Sequence, residues 1–97
     1  MKTLFYIIVY DIPATKKGNK RRTTLHDLLS GYGQRTQYSL FECFLTSVQF
    51  SKLQTKVEVL LNLKEDSLRI FILDHKSLKR SISYGDKKPE HETTIIF

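Results

Sequence analysis

The chain has 97 residues, enough for one domain with a single modest hydrophobic core. Sixteen Lys and Arg against ten Asp and Glu give a formal net charge of +6, which favours an anionic partner, nucleic acid ahead of a membrane surface. No stretch approaches the roughly 20 apolar residues of a membrane span, and the start of the chain lacks a small-residue cleavage site. We therefore expect a cytoplasmic protein that binds nucleic acid and no membrane.

The first predicted strand comes from an unbroken apolar run, Leu4 to Tyr10, which stops at Asp11 and is followed by Ile12 and Pro13. Such a run is typical of a central strand that is buried on both faces. A carboxylate at the end of a rigid strand can bind a metal or activate a water. The alternative is that Asp11 merely opens a turn, since Asp favours turns and Pro13 cannot continue a ladder.

Two helices are predicted. The polar segment 14–20 is expected to be a loop that ends at Asn19, the N-cap of a helix from about Lys20 to Ser30. Its apolar stripe consists of Leu25, Leu28 and Leu29. The second helix is expected to have Ser47 as its N-cap and to end near Asn62. Its apolar stripe consists of Leu53, Val57, Leu60 and Leu61.

The remaining strands follow from aromatic and branched residues. Residues 34–46 are expected to be extended, with a bend or reversal near Ser39 because the segment is long for one strand. Residues 67–73 alternate as a strand with two apolar faces. Towards the end of the chain we expect a strand at 79–84, a charged loop at 85–92 and a short strand at 93–97.

This element order predicts an α+β fold of the ferredoxin-like βαββαβ type, in which both helices cover one face of an antiparallel sheet. The other face is expected to be bare and to carry Phe5, Ile7 and Phe71, so a second copy would bury it. The terminal strand could then cross to the partner's sheet. We expect residues 1–97 to form one domain, with about 78–97 as a dimer-linking extension.

Cysteine and histidine offer little chemistry. Cys43 is the single cysteine, which excludes an internal disulfide and a cysteine-rich zinc site. The three histidines have no recognisable ligand spacing and lie among polar or charged neighbours, so we interpret them as solvated. They are His26, His75 and His91.

Three motifs carry a family resemblance. They are Tyr10-Asp11-Ile12, the basic cluster of Lys16, Lys17, Lys20, Arg21 and Arg22, and the segment from Gln37 to Glu42. In this order and spacing they resemble the CRISPR-associated Cas-two (Cas2) family of spacer-acquisition proteins, over most of the chain. Gly33 matches the glycine that follows the family's first helix, whereas Leu40 stands where the family usually has Val.

The resemblance implies a homodimer in which the Asp11 carboxylates of the two subunits face each other and share one Mg²⁺. Such a centre would hydrolyse phosphodiester bonds in DNA or RNA. Tyr10, Arg22 and Phe41 would assist as further catalytic residues, with Arg22 as a phosphate clamp, although Arg21 could exchange roles with it. The whole basic cluster, Lys16, Lys17, Lys20, Arg21 and Arg22, would bind nucleic acid.

Other interpretations remain open at this point. The dimer could be a noncatalytic scaffold that bridges copies of the CRISPR-associated integrase and holds duplex DNA, with a structural Asp11. A free-standing RNA-binding domain shares the element order but needs a glycine-containing motif that 69–73 lacks. The residue types favour core or interface positions for Tyr10 and Phe41 over catalytic ones. For Glu42 they favour an ion pair over a second metal ligand.

Overall fold

The computed structural model describes residues 2–37, 39–82 and 84, and within them one antiparallel sheet of four strands. The strands are β1 (Thr3–Asp11), β2 (Gln34–Gln37), β3 (Leu40–Thr46) and β4 (Ser67–Leu73). Their spatial order is β2-β3-β1-β4, so β1 pairs with β3 on one side and with β4 on the other. The α+β class and the ferredoxin-like strand order are those expected.

Helices α1 (Lys16–Ser30) and α2 (Ser47–Leu60) form the main core with the sheet, and a short α3 (His75–Lys79) follows β4. Alternate residues of β1 point into this core, as the period of two along a strand requires. The core consists of Tyr6, Ile8, Tyr10, Ile12, Leu25, Leu29, Phe41, Cys43, Leu45, Leu53 and Val57. Both helices therefore cover the same face of the sheet.

Helix α1 begins one turn earlier than the sequence suggested. Its N-cap is Thr15, whose Oγ1 accepts a hydrogen bond from the Gly18 amide at 2.9 Å. Gly18 had favoured a loop, but it is buried in the helix, where a Cβ would overlap the carbonyl oxygen of Pro13. The expectation that Asn19 caps the helix was therefore wrong, because glycine is needed here for close approach and not for a turn.

Helix α2 also starts one residue from the expected position. Thr46 is the N-cap, and a capping box joins it to Gln49: the Gln49 amide donates to Thr46 Oγ1 at 3.2 Å, and the Thr46 amide donates to Gln49 Oε1 at 2.9 Å. The side chain at the third helical position decides between Thr46 and Ser47, because only Thr46 has Gln49 three residues on.

The segment 34–46 reverses direction where a bend was expected. Strand β2 ends at Gln37, β3 begins at Leu40, and Ser39 lies in the turn between them. Gly33 precedes β2 and packs against β3, where a Cβ would overlap the Glu42 carbonyl oxygen and the Cys43 sulfur. The glycine after α1 therefore lets the chain enter the edge of the sheet.

The second face of the sheet is not bare along its whole length. Phe5 was expected to be exposed there, but it is buried against Leu78 of α3 and packs on Phe44 with 4.7 Å between ring centroids. Helix α3 was not foreseen: Asp74 caps it by accepting a hydrogen bond from the Ser77 amide at 2.7 Å. The expected strand at 79–84 was wrong for the described residues, since Lys79 ends this helix.

The rest of that face is open in the single chain. Ile7 is half-buried, and its neighbour across the β1–β4 pair, Phe71, is exposed. We call the surface formed by Ile7, Val9, Arg69 and Phe71 the open face. The loop expected at 85–92 and the strand expected at 93–97 lie outside the described residues, so strand exchange and the 78–97 extension stay predictions.

The contact between α3 and Phe5 gives a stability prediction. We expect Leu78→Ala to lower the free energy of unfolding by about 2–3 kcal/mol, because it leaves a cavity beneath Phe5. The matched control is Leu63→Ala, since Leu63 is 77% exposed whereas Leu78 is 5% exposed. Urea denaturation of both variants measures the difference. Equal losses would contradict a packing role for α3.

Candidate functional site

Asp11 lies exposed at the last residue of β1, on the face opposite the helices, because its neighbour Tyr10 points into the core. Two backbone contacts fix this strand end. Asp11 is in register with Ser67, the first residue of β4, and the Tyr10 amide donates to the Ser39 carbonyl at 3.2 Å. The carboxylate is thus mounted on a strand that is held from both sides.

Two shallow clefts meet at this strand end. The first has a volume of about 340 Å³ and contains Arg22 and Ser39 beside Asp11; we call it the Arg22 cleft. The second has a volume of about 370 Å³ and contains Ser67, Arg69 and Phe71; we call it the Arg69 cleft. Asp11 lines both clefts. A carboxylate is therefore placed between two arginines, one in each cleft.

Arg22 carries its charge into the first cleft without a carboxylate partner in the part of the chain that the structure describes. Its Nη1 donates to Asn19 Oδ1 at 2.6 Å, and its Nη2 donates to the carbonyl oxygen of Ile12. Both acceptors are neutral, so they orient the guanidinium without cancelling its charge. An oriented guanidinium beside a carboxylate is suited to bind a phosphate group.

Arg21 points elsewhere, although it is the next residue. Its Nε donates to Asp66 Oδ2 at 2.8 Å and its Nη2 to Asp66 Oδ1 at 2.9 Å. Nη2 also lies 3.1 Å from Glu65 Oε1. Asp66 further accepts a hydrogen bond from the Asn62 amide at 2.9 Å. Arg22 is therefore the arginine of α1 that lies in a cleft with Asp11, whereas Arg21 ties α1 to the loop before β4.

The Arg21–Asp66 pair is shielded from water on the acid's side. The Asp66 side chain is fully buried, whereas that of Glu65 is 50% exposed. Hydrogen bonds from Arg21, helped by the Asn62 amide, hold the pKa of the Asp66 carboxyl below its usual value, although burial opposes this. The same contacts raise the pKa of Arg21. Asp66 is therefore the carboxylate of a structural ion pair.

Tyr10 and Phe41, both expected as catalytic, lie beneath the clefts. They are 4% and 0% exposed, with ring centroids 6.4 Å apart. His26, expected to be solvated, is half-buried with its ring centroid 5.5 Å from that of Phe41, and its Nδ1 is buried. These rings support the strand end from the core. Tyr10 also lines both clefts, whereas Phe41 lines neither, and in this arrangement both rings can position Asp11.

The three lysines of the basic cluster lie on the first turns of α1. Lys16, Lys17 and Lys20 are all exposed, and the first turn of the helix contains no acidic residue. Cations there oppose the helix macrodipole, so their positions favour a bound anion nearby. Because α1 begins at Lys16, these lysines place positive charge at the N-terminus of the helix that also carries Arg22.

A metal ion would find few ligands in one chain. Among the described residues there is no group of three or more His, Cys, Asp or Glu side chains that could hold one. Glu42 lies opposite Ile7, four residues before Asp11 along β1, so it is not brought to the Asp11 carboxylate. Ser39 and Ser67 do lie beside Asp11 and were not foreseen, since hydroxyls at strand ends are common and form no pattern.

The fold and the clefts define a small ferredoxin-like protein with an acidic strand end between basic clefts. In the described part of the chain, no helix is long and apolar enough to cross a membrane. A family model described as CRISPR associated protein Cas2 matches residues 4–81. The chain therefore belongs to the Cas2 family.

Similar proteins agree with this assignment. CRISPR-associated endoribonuclease Cas2 1 of Synechocystis sp. is 55% identical over 93 residues, which cover 96% of this chain and 99% of that protein. The crystal structure of Streptococcus pyogenes Cas2 at pH 6.5 is 30% identical with a TM-score of 0.74, covering 84% of this chain and 99% of that one. A chain of a partial Cas6-RT-Cas1–Cas2 complex is 27% identical with a TM-score of 0.69, covering 91% of each chain.

The part-buried Arg21–Asp66 ion pair gives a second stability prediction. We expect Asp66→Asn to lower the free energy of unfolding by about 2 kcal/mol at neutral pH, because the charge-assisted hydrogen bonds from Arg21 are lost. The Asp66 pKa is depressed in the folded state, so its contribution is complete above the unfolded pKa of about 4 and disappears as the pH falls through the lower folded value.

Chemical denaturation between pH 7 and pH 2 measures this effect. The variant is expected to lose less stability on acidification than the wild type does. Glu65→Gln is the matched control, because Glu65 is the exposed partner of Arg21. We expect this substitution to change the free energy of unfolding little. An Asp66→Asn variant with the wild-type dependence on pH would contradict the assignment.

Proposed function

We propose that this chain hydrolyses phosphodiester bonds in RNA, as a homodimeric endoribonuclease of CRISPR spacer acquisition with its centre at Asp11. The carrying observation is the exposed Asp11 carboxylate at the fixed end of β1, in one cleft with the oriented Arg22 guanidinium. The name of the Synechocystis relative, CRISPR-associated endoribonuclease Cas2 1, supports the same activity. The preference for RNA over DNA rests on that name.

The homodimer is supported by the open face. Ile7 and Phe71 leave apolar surface on the side of the sheet that α1 and α2 do not cover, and α3 covers only the Phe5 end. A second copy is the economical cover for such a surface. Asp11 lies on the same face at its other end, so a twofold axis near that end would bring two Asp11 carboxylates together.

Magnesium fits this arrangement only in the dimer. Among the described residues, one chain supplies a single carboxylate at the strand end, and two copies supply two. Mg²⁺ prefers oxygen ligands and is commonly held by one or two carboxylates, with waters and substrate phosphates completing the shell. Asp11 of each copy would hold the ion, which when bound would polarise the phosphodiester and ease the formation of hydroxide from water.

The chain's own residues then have separate tasks. Arg22 binds the phosphate next to the cleaved bond, because its guanidinium is oriented by neutral acceptors and keeps its charge. Lys16, Lys17 and Lys20 attract the nucleic acid without contacting bases. Tyr10 and Phe41 are positioning residues, since they are buried and hold the end of β1 in place.

A scaffold is the second candidate, and one observation favours it. A chain similar to this one forms part of a solved partial Cas6-RT-Cas1–Cas2 complex. In this alternative the dimer bridges the integrase and holds duplex DNA along its lysine-rich surface, and Asp11 is structural. The small number of acidic groups that the described residues bring to the strand end agrees with such a role.

The two candidates differ in what Asp11→Asn changes. In an endoribonuclease this variant is expected to abolish Mg²⁺-dependent RNA cleavage and to keep the fold, because the amide preserves the shape but not the charge. Without metal, its dimer is expected to be no weaker than that of the wild type, since a repulsion between carboxylates is removed. Asp27→Asn, an exposed acid on α1, is the charge-matched control.

Cleavage of labelled RNA with Mg²⁺ or with a chelator provides the measurement, with sedimentation to verify the dimer. Cleavage by Asp11→Asn at the wild-type level would assign the activity to a contaminant or to another site. The scaffold would then be retained, provided that the same variant still assembles with the integrase.

The adjacent arginines give a further prediction about RNA binding. We expect Arg22→Gln to reduce the slope of log affinity against log salt by about 0.7 for each single-strand phosphate contact that is lost. Arg21→Gln is expected to leave the slope unchanged and to lower stability, because Arg21 is engaged with Asp66. Fluorescence anisotropy over a salt series measures both. A fall with Arg21→Gln alone would reverse the assignment.

A further inference from the structure

The geometry points to a second phosphate-binding subsite, at Arg69, on the opposite side of Asp11 from Arg22. The subsite deepens the proposed function in one respect, because it gives the RNA strand a path: from the Arg22 cleft, across Asp11, into the Arg69 cleft. Its chemistry is that of a guanidinium that binds the phosphate following or preceding the one at Arg22.

The register of the sheet places Arg69 next to Asp11. Arg69 lies opposite Val9 in the β1–β4 pair, and Ser67 lies opposite Asp11. Residues two apart along a strand share a face, so Arg69 and Asp11 lie on the same side of the sheet, in neighbouring rows. Both also line the Arg69 cleft. A group bound at Asp11 is therefore within one row of the guanidinium.

Arg69 keeps its charge for a ligand. In the stretches that the structure describes it forms no ion pair, and its guanidinium carbon lies 6.0 Å from the centroid of the Phe71 ring. Packing over an aromatic ring orients a guanidinium and leaves its N–H edge free to donate. In the single chain Arg69 is exposed on the sheet, so its guanidinium does not point into the core.

The register places the Arg69 row next to the strand end. On the side of the sheet that carries Asp11, the paired residues of β1 and β4 follow one another in rows. The rows are Phe5–Leu73 beneath α3, then Ile7–Phe71, then Val9–Arg69, and Asp11–Ser67 at the strand end. Arg69 therefore lies one row nearer to Asp11 than Ile7 and Phe71 do. Asp11 separates it from Arg22, since the two clefts share Tyr10 and Asp11 and no other residue.

The test measures binding without Mg²⁺, so that it does not depend on cleavage. Arg69→Gln is expected to weaken the affinity for a fluorescent RNA oligonucleotide about tenfold at low salt and to reduce the salt slope by about 0.7. Arg80→Gln is the matched control: it removes the same charge from the residue that caps α3, at the Phe5 end of the sheet. It is expected to change neither quantity beyond a general effect of net charge.

A second measurement uses the wild-type protein and modified RNA. Oligonucleotides in which one phosphate at a time is replaced by a neutral methylphosphonate are expected to show two sensitive neighbouring positions. In Arg69→Gln one of the two is expected to become insensitive, and in Arg22→Gln the other. Sedimentation verifies that each variant is dimeric, and Arg69→Lys, which keeps the charge, is expected to retain both sensitive positions.

The outcomes separate the subsite from the proposed nuclease. If no cleavage is found but Arg69→Gln loses one sensitive phosphate, the subsite stands and the catalytic proposal fails. If Arg69→Gln binds like Arg80→Gln, or if the wild type shows a single sensitive phosphate, the subsite is overturned whatever the cleavage assay gives. If Arg69→Gln does not form a dimer while Arg80→Gln does, Arg69 acts in the dimer contact and the subsite is overturned.

Discussion

The pairing of β1 on both of its edges is the constraint on which the rest of this molecule depends. Strand β3 pairs with it from Thr3 to Val9, and β4 pairs with it from Phe5 to Asp11. A strand with two hydrogen-bonded neighbours cannot slip by one residue without turning its apolar side chains to the wrong face. The position of Asp11 is consequently set by the whole sheet and not by its local turn.

The alternation of side chains along β1 also separates the core residues from the residues on the opposite face of the sheet. Tyr6, Ile8 and Tyr10 point to the helices and form the core, and the residues between them point to the open face. Helix α3 closes that face at the Phe5 end, so apolar surface and the acidic strand end remain at the other end. One face thus carries both the exposed apolar residues and the Asp11 carboxylate.

Strong periodicity made most of the elements predictable, and short-range contacts accounted for the errors. The apolar run to Tyr10 identified a strand and the apolar stripe of α2 identified a helix, because each pattern is long enough to show its period. The first turn of α1 was missed because Gly18 resembles a loop residue, and only the approach of Pro13 shows why it is buried. Helix α3, with five residues, is too short for any period to emerge.

The candidate site was predictable where the backbone alone decides the position, as for Asp11 at the end of a central strand. It was not predictable for the two arginines. Neighbouring residues on a helix point about 100° apart, so one faces the loop after β1 and the other the loop before β4. The partner that selects Arg21 is Asp66, 45 residues away in the sequence, and no local pattern reveals it.

The two adjacent arginines therefore have different roles in the structure. The buried Asp66 carboxylate neutralises Arg21 and secures α1 against the loop that leads into β4. Arg22 is the next residue on the same helix, so it is held in place by the Arg21 contact while its own hydrogen bonds go to neutral oxygens. Loss of the Arg21–Asp66 pair would therefore weaken the attachment of α1 to the loop before β4, while the hydrogen bonds that orient Arg22 remain.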